Sequence, residues 1–210
     1  MTIIYFNLKM QFLLLSIMII GPLCAQVYLP ISCSNRNSLK EVKLTPIGDY
    51  GILRKSRLHV PAHYHTGIDI QRPSSNYINE PIYPASDGIV ISKRDDGPYA
   101  QLIIEHHYKN FTFWTLYEHI AGITVNVGDQ VSFKAPIGRF MSKNELNKHG
   151  WQFDHLHFEI LKVKPLPIKP DHKNPQRRFN GYNLVCNTPE DLSRFYYNPS
   201  EFFIAYCNRY

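Results

Sequence analysis

The sequence predicts a mainly β, antiparallel fold with a short helical C-terminal extension. Three observations carry that expectation. Aromatic residues are frequent, with 14 Tyr and 12 Phe among 210 residues, a composition that suits pleated, half-buried strands better than a helical bundle. From about Leu44 to Val163 one short apolar run follows another between turn residues. In the tail, Thr188-Pro189 and Asn198-Pro199 each set a capping residue before a proline at the first helical position, with acidic residues after it. The length suits one domain with appendages and a proper hydrophobic core.

Taken in chain order, residues 1–25 read as a secretory signal rather than as part of the fold. Lys9 precedes the apolar run from Phe12 to Ile20, which is too short for a comfortable membrane span. Gly21-Pro22 then breaks it, and Ala25 offers a small residue for cleavage. Met10 offers an alternative start, and Leu23 is too large for a lipoprotein reading through Cys24. Residues 26–43 are mostly polar and aperiodic and read as an N-terminal linker or arm, which leaves 44–165 as the β domain. There Gly67 to Gln71 alternates, and a strand from Gly88 to Lys93 follows the Asp87-Gly88 turn. Gln101 to His107 and Phe111 to Tyr117 flank Lys109-Asn110 as a hairpin. Val125 to Val131 carries a turn between two apolar pieces. Ser142 with Glu145 predicts a capped short helix ending near Gly150. His155 to Val163 is the last strand, closed by Pro165 and Pro167. In residues 166–210 two short helices are expected, the second burying Phe202, Phe203 and Tyr206.

The formal net charge is +6, and removing residues 1–25 takes away only Lys9, leaving +5. This diffuse excess favours an anionic surface such as a bacterial wall and gives no basis for nucleic-acid binding. Contact with a membrane is expected only through the uncleaved signal segment. Export would remove Cys24 and leave Cys33, Cys186 and Cys207, an odd number in an oxidising compartment. There is no Cys-x-x-Cys pair, which argues against a thiolate zinc site. A Cys186–Cys207 bridge is the expected pairing, since both lie in the terminal segment.

The chemistry concentrates in Asp154-His155-Leu156-His157-Phe158-Glu159 and His65-Thr66-Gly67-Ile68-Asp69. Side chains at i, i+2 and i+4 of a strand project from one face, so His155 and His157 point the same way, as do His65 and Asp69 if their segment is a strand. Imidazoles, a carboxylate and a spare histidine on facing strands meet the needs of a catalytic zinc site: three protein ligands, an open fourth position and a nearby base. One His-x-His pair arises readily by chance. Its combination with His-x-x-x-Asp and with His119 does not.

These stretches, with Pro84 to Val90, Leu116 to Ile120, Val127 to Val131 and Ile137-Gly138 in the same order, resemble the LytM/lysostaphin-type zinc metallopeptidases over roughly residues 45–163. The resemblance implies a compact β-sandwich-like core, the duplicated hybrid motif, and an exported endopeptidase that cleaves peptide cross-links of bacterial peptidoglycan. It implies Zn2+ held by His65, Asp69 and His157, with His155 and His119 as the catalytic histidines. His59, His63, His106, His107, His149 and His172 match no ligand position, although His63 could line the cleft. Tyr117 and Trp151 either flank the groove or pack. Two departures stand out. Asp154 replaces a common proline and either orients His155 or points to solvent, and the loop from Met141 to Phe153 is bulkier than the family's small, Gly- and Ser-rich one. The competing expectation is a non-enzymatic wall-binding or amidase-activating module on the same fold; members with that role have typically lost ligand residues, which this chain retains.

Overall fold

The computed structural model describes residues 26–57, 60–95 and 97–207. The expected signal segment and His59 lie outside them. The strands are β1 (Leu53–Arg54), β2 (His63–Tyr64), β3 (Ile68–Gln71), β4 (Pro81–Ile82), β5 (Gly88–Arg94), β6 (Gln101–Tyr108) and β7 (Phe111–Glu118). They continue with β8 (Ile120–Ala121), β9 (Gln130–Val131), β10 (Gly138–Phe140), β11 (His155–Leu161), β12 (Leu166–Pro167), β13 (Phe179–Asn180) and β14 (Tyr196–Tyr197). The helices are α1 (Lys143–His149), α2 (Pro189–Phe195) and α3 (Pro199–Tyr206). The principal sheet runs β14-β11-β7-β6-β5-β9, with β3 also paired to β11, and a second sheet runs β4-β10-β8. The pairings within both are antiparallel.

Local sequence explains the frame. β6 and β7 pair from Gln101↔Glu118 to Tyr108↔Phe111, and Lys109 turns the chain with a φ of +48°. Along β11 the side chains alternate. Leu156, Phe158 and Ile160 enter the main core with Ile68, Ile70 and Tyr117, while Leu161 on the other face joins a smaller core with Trp114, Leu116, Cys186, Leu192 and Tyr196. Ile82, Ile120 and Phe140 bring the second sheet into the main core. Two antiparallel sheets sharing one core is the sandwich-like arrangement expected.

The termini are more integrated than their composition suggests. Residues 26–43 are not a loose linker: Val27, Leu29 and Ile31 are buried in the main core, Ile31 bridges to Ile82, and the Tyr28 N–H donates to the Ala85 carbonyl. The extension contributes β14 to the principal sheet through Ile160↔Tyr197 and Leu161↔Tyr196. Thr188 and Asn198 cap α2 and α3, whose Phe202 and Phe203 are buried while Tyr206 is only half-buried. The expected Cys186–Cys207 bridge is absent, because the two thiols belong to different cores. Cys186 is enclosed in the smaller one, and Cys207 packs on the main one with its Sγ 3.4 Å from the Arg36 carbonyl. Nearness in sequence did not translate into nearness in space.

His106 is a structural histidine, fully buried and stacked on Phe113, with Nδ1 2.9 Å from the Asp87 carbonyl and Nε2 2.7 Å from Thr115 Oγ1. The carbonyl can only accept, so Nδ1 carries the proton of a neutral ring. Burial pushes the pKa of His106 down to about 4. Between about pH 6.5 and 4 the unfolded chain therefore binds a proton that the folded chain refuses. Stability from this group is full above pH 6.5 and falls on acidification. Denaturant titrations across that window should show wild type losing up to about 3 kcal/mol more than His106→Gln.

Candidate metal centre

The register of β11 assembles the site. His157 lies opposite Asp69 on β3 and opposite Glu118 on β7, and His155 lies opposite Gln71. Directly opposed residues share a sheet face, so Asp69, His157, Glu118 and, two residues along, His155 are presented together. His65 arrives differently from the expectation. It is not on a strand, since β3 begins only at Ile68, and it reaches the site from the bend before β3. Gly67 makes that bend possible, because a Cβ there would stand 2.3 Å from the Phe158 carbonyl oxygen.

His65 Nε2, Asp69 Oδ1 and His157 Nδ1 converge. Asp69 Oδ1 lies 3.0 Å from His65 Nε2 and 2.9 Å from His157 Nδ1, and the two nitrogens are 3.1 Å apart. Among the described residues these three form a group able to hold a metal ion. The other nitrogen of each ring is already committed. His65 Nδ1 donates to the Asp49 carbonyl at 2.8 Å, and His157 Nε2 donates to Glu159 Oε1 at 3.0 Å. Such outer contacts fix the tautomer and leave the facing nitrogen with its lone pair inward. Two inward lone pairs and a carboxylate oxygen make a donor set that calls for a cation, and imidazole and carboxylate donors suit zinc.

The electrostatics agree. Burial alone would raise the pKa of Asp69, but its contacts with His157 and His65 outweigh it and hold the carboxyl well below its usual range. Burial opposes charge on His157, yet the contacts with Asp69 and Glu159 lift its pKa well above 6.5. The pocket's negative charge thus attracts a proton to His157, the place a metal cation would claim. Arg54 Nη2 occupies the second oxygen of Asp69 at 2.8 Å, leaving Oδ1 for the inner cluster.

His155 and His119 border this group without joining it. His155 Nε2 is 3.6 Å from Asp69 Oδ1, and burial pushes its pKa down to about 3. His119 packs edge-on to His155 at 4.8 Å between ring centres, with its Nδ1 2.6 Å from the Pro98 carbonyl. Burial lowers its pKa as well. His119 has a φ of +63°, an uncommon conformation for a residue with a side chain, at the step from β7 to β8. Tyr99 and Phe153 stand against its ring at 5.8 and 4.9 Å, and Trp151, 51% exposed, meets Tyr77 edge-on at 5.8 Å. Tyr117, by contrast, is a core residue whose hydroxyl accepts from the Ala85 N–H. His63 is buried with its Nδ1 2.9 Å from the Pro61 carbonyl, outside the cluster.

The residues that the sequence did not single out are those one layer back: Arg54, Thr66 and Glu159. Glu159 carried a readable signal, since it stands two residues after His157 on the same strand face. Asp154 also finds a partner. Its Oδ1 accepts from Arg72 Nε at 2.9 Å and Nη2 at 2.7 Å, so the carboxylate is engaged by Arg72. The Arg72 side chain is almost fully buried and also donates to the Asn76 and Met141 carbonyls. Asp154→Ala would leave that guanidinium short of its charge partner at the entry to β11. A loss of about 3 kcal/mol in denaturant unfolding is expected.

The family model for Peptidase family M23 matches residues 63–174, which contain the whole cluster. An uncharacterized metalloprotease of Buchnera aphidicola subsp. Baizongia pistaciae (strain Bp) is 29% identical over 132 residues, covering 58% of this chain and 31% of that protein. This chain thus spans about a third of the length of that relative. Among solved structures, a zinc containing peptidase from Vibrio cholerae is 26% identical with a TM-score of 0.43, covering 65% of this chain and 36% of the other. Lysostaphin from Staphylococcus simulans is 17% identical with a TM-score of 0.47, covering 88% of this chain and 57% of the other.

Proposed function

Because the chain belongs to peptidase family M23, we propose that it is an exported zinc-dependent endopeptidase that hydrolyses peptide cross-links of bacterial peptidoglycan. The observation that carries this reading is the convergence of His65 Nε2, Asp69 Oδ1 and His157 Nδ1 within 2.9 to 3.1 Å, with His155 and His119 beside them. His65, Asp69 and His157 are the ligands. A zinc ion held there supplies Lewis acidity, polarising a carbonyl and lowering the pKa of a water to about 7.

The chain's own residues supply the proton transfers. His155, with its Nε2 3.6 Å from Asp69 Oδ1, is the base within reach of the ligand cluster. His119 is held in one orientation by its Nδ1–H donation to the Pro98 carbonyl, which leaves the Nε2 lone pair to take up a proton; the imidazolium so formed stabilises negative charge on the reacting carbonyl. Asp49 and Glu159 keep the ligand rings from rotating. The aromatic rings of Tyr99 and Phe153 pack against His119 and restrict its movement. Export is supported by the apolar run from Phe12 to Ile20, and N-terminal sequencing of secreted protein should then begin at Gln26. Recovery only of uncleaved chain would contradict it.

The direct test pairs metal content with turnover on purified cross-linked peptidoglycan. Wild type should digest it, stop with chelator and resume with added zinc. His157→Ala should lose most bound zinc along with activity. His155→Ala and His119→Ala should keep zinc and slow by about 10² to 10⁴, the usual cost of removing a general acid–base group. Full zinc occupancy in His157→Ala would refute the ligand assignment. Wall binding without hydrolysis by the zinc-loaded wild type would favour a non-enzymatic module.

A further inference from the structure

We propose that Tyr196, from the C-terminal extension, is a positioning residue of the metal centre: its hydroxyl holds the Glu159 carboxylate, which in turn orients His157. The proposal rests on the zinc reading of the site and adds a third layer to it, drawn from a segment outside the resemblance.

Glu159 is a buried carboxylate with unequal ends. Oε1 accepts from His157 Nε2 at 3.0 Å and from the Thr66 hydroxyl. Oε2 is equally enclosed and has no hydrogen-bond partner. A buried orphan carboxylate oxygen is costly, so an adjacent donor is to be sought. Tyr196 is that neighbour. Its ring is fully buried, and its Oη accepts the Tyr182 N–H, which leaves the phenol's single proton to give. A Cβ built on Gly181 would stand 2.9 Å from Tyr196 Oη and 3.0 Å from Glu159 Oε2, so the two oxygens border one gap that only glycine leaves open.

Topology delivers the tyrosine to this place. Tyr196 lies opposite Leu161 in the β11–β14 pairing, and Leu161, Glu159 and His157 alternate onto one face. The phenol also keeps its proton, since burial, then the charge of Glu159, holds its pKa well above the usual tyrosine value. The chain of contacts therefore runs from β14 through Tyr196 and Glu159 to the ring of His157. A role in packing alone would need the ring of Tyr196 and not its hydroxyl.

Tyr196→Phe separates the two. Zinc affinity of the full chain, measured by competition with a chromophoric chelator, should weaken about tenfold, within the 10- to 100-fold range for loss of an outer-shell partner. The visible spectrum of the cobalt-substituted protein should shift, reporting a reoriented His157. Tyr197→Phe, which removes a hydroxyl from the neighbouring residue of the same strand, should match wild type in both readouts. Gly181→Ala keeps the phenol but fills the gap, and should weaken zinc binding as Tyr196→Phe does; it also serves if Tyr196→Phe does not fold. Wild-type affinity and spectrum in Tyr196→Phe, or in Gly181→Ala in its place, would overturn the proposal while leaving the zinc reading intact. A wild-type protein that takes up no zinc would overturn both.

Discussion

The structure depends on the way β11 is gripped on both edges. β3 and β14 share one edge and β7 holds the other, so His157 is fixed between Asp69 and Glu118 by backbone hydrogen bonds rather than by side-chain preference. A one-residue slip of that register would turn His155, His157 and Glu159 into the main core and expose Leu156, Phe158 and Ile160. The apolar side chains of the strand therefore enforce the placement of its polar ones. Burial on one face sets the geometry of the histidine cluster on the other.

The polar face carries its own constraint. Three donors within about 3 Å of one another repel unless a proton or a cation sits among them. The fold tolerates this because each donor is backed by a second contact: a carbonyl behind His65, a carboxylate behind His157 and a guanidinium behind Asp69. These contacts are made by the turn at Asp49 before β1, by β11 itself and by β1. The site thus draws on several elements of the domain, and on the extension if Tyr196 acts as inferred.

Much of this was legible in the sequence. The alternation around His155 and His157, the Lys109-Asn110 hairpin and the capping residues Ser142, Thr188 and Asn198 are local signals, and local structure follows them. What escaped was set by contacts between distant segments. Val27, Leu29 and Ile31 alternate over only five residues at the head of a mostly polar stretch, too short a signal to reveal their burial against the second sheet. The partner of Asp154 is Arg72, brought near only by the pairing of β3 with β11. His65 sits on a bend that its spacing from Asp69 could not distinguish from a strand. The cysteines misled because sequence separation says little about which core a side chain enters.

The central claim is that His65, Asp69 and His157 are zinc ligands. X-ray absorption at the zinc edge of protein loaded with one equivalent tests it most directly. The account predicts a first shell of nitrogen and oxygen only, at about 2.0–2.1 Å, with the outer scattering of two imidazoles. A sulfur contribution near 2.3 Å, implicating Cys33, Cys186 or Cys207, or a shell without imidazole, would contradict it.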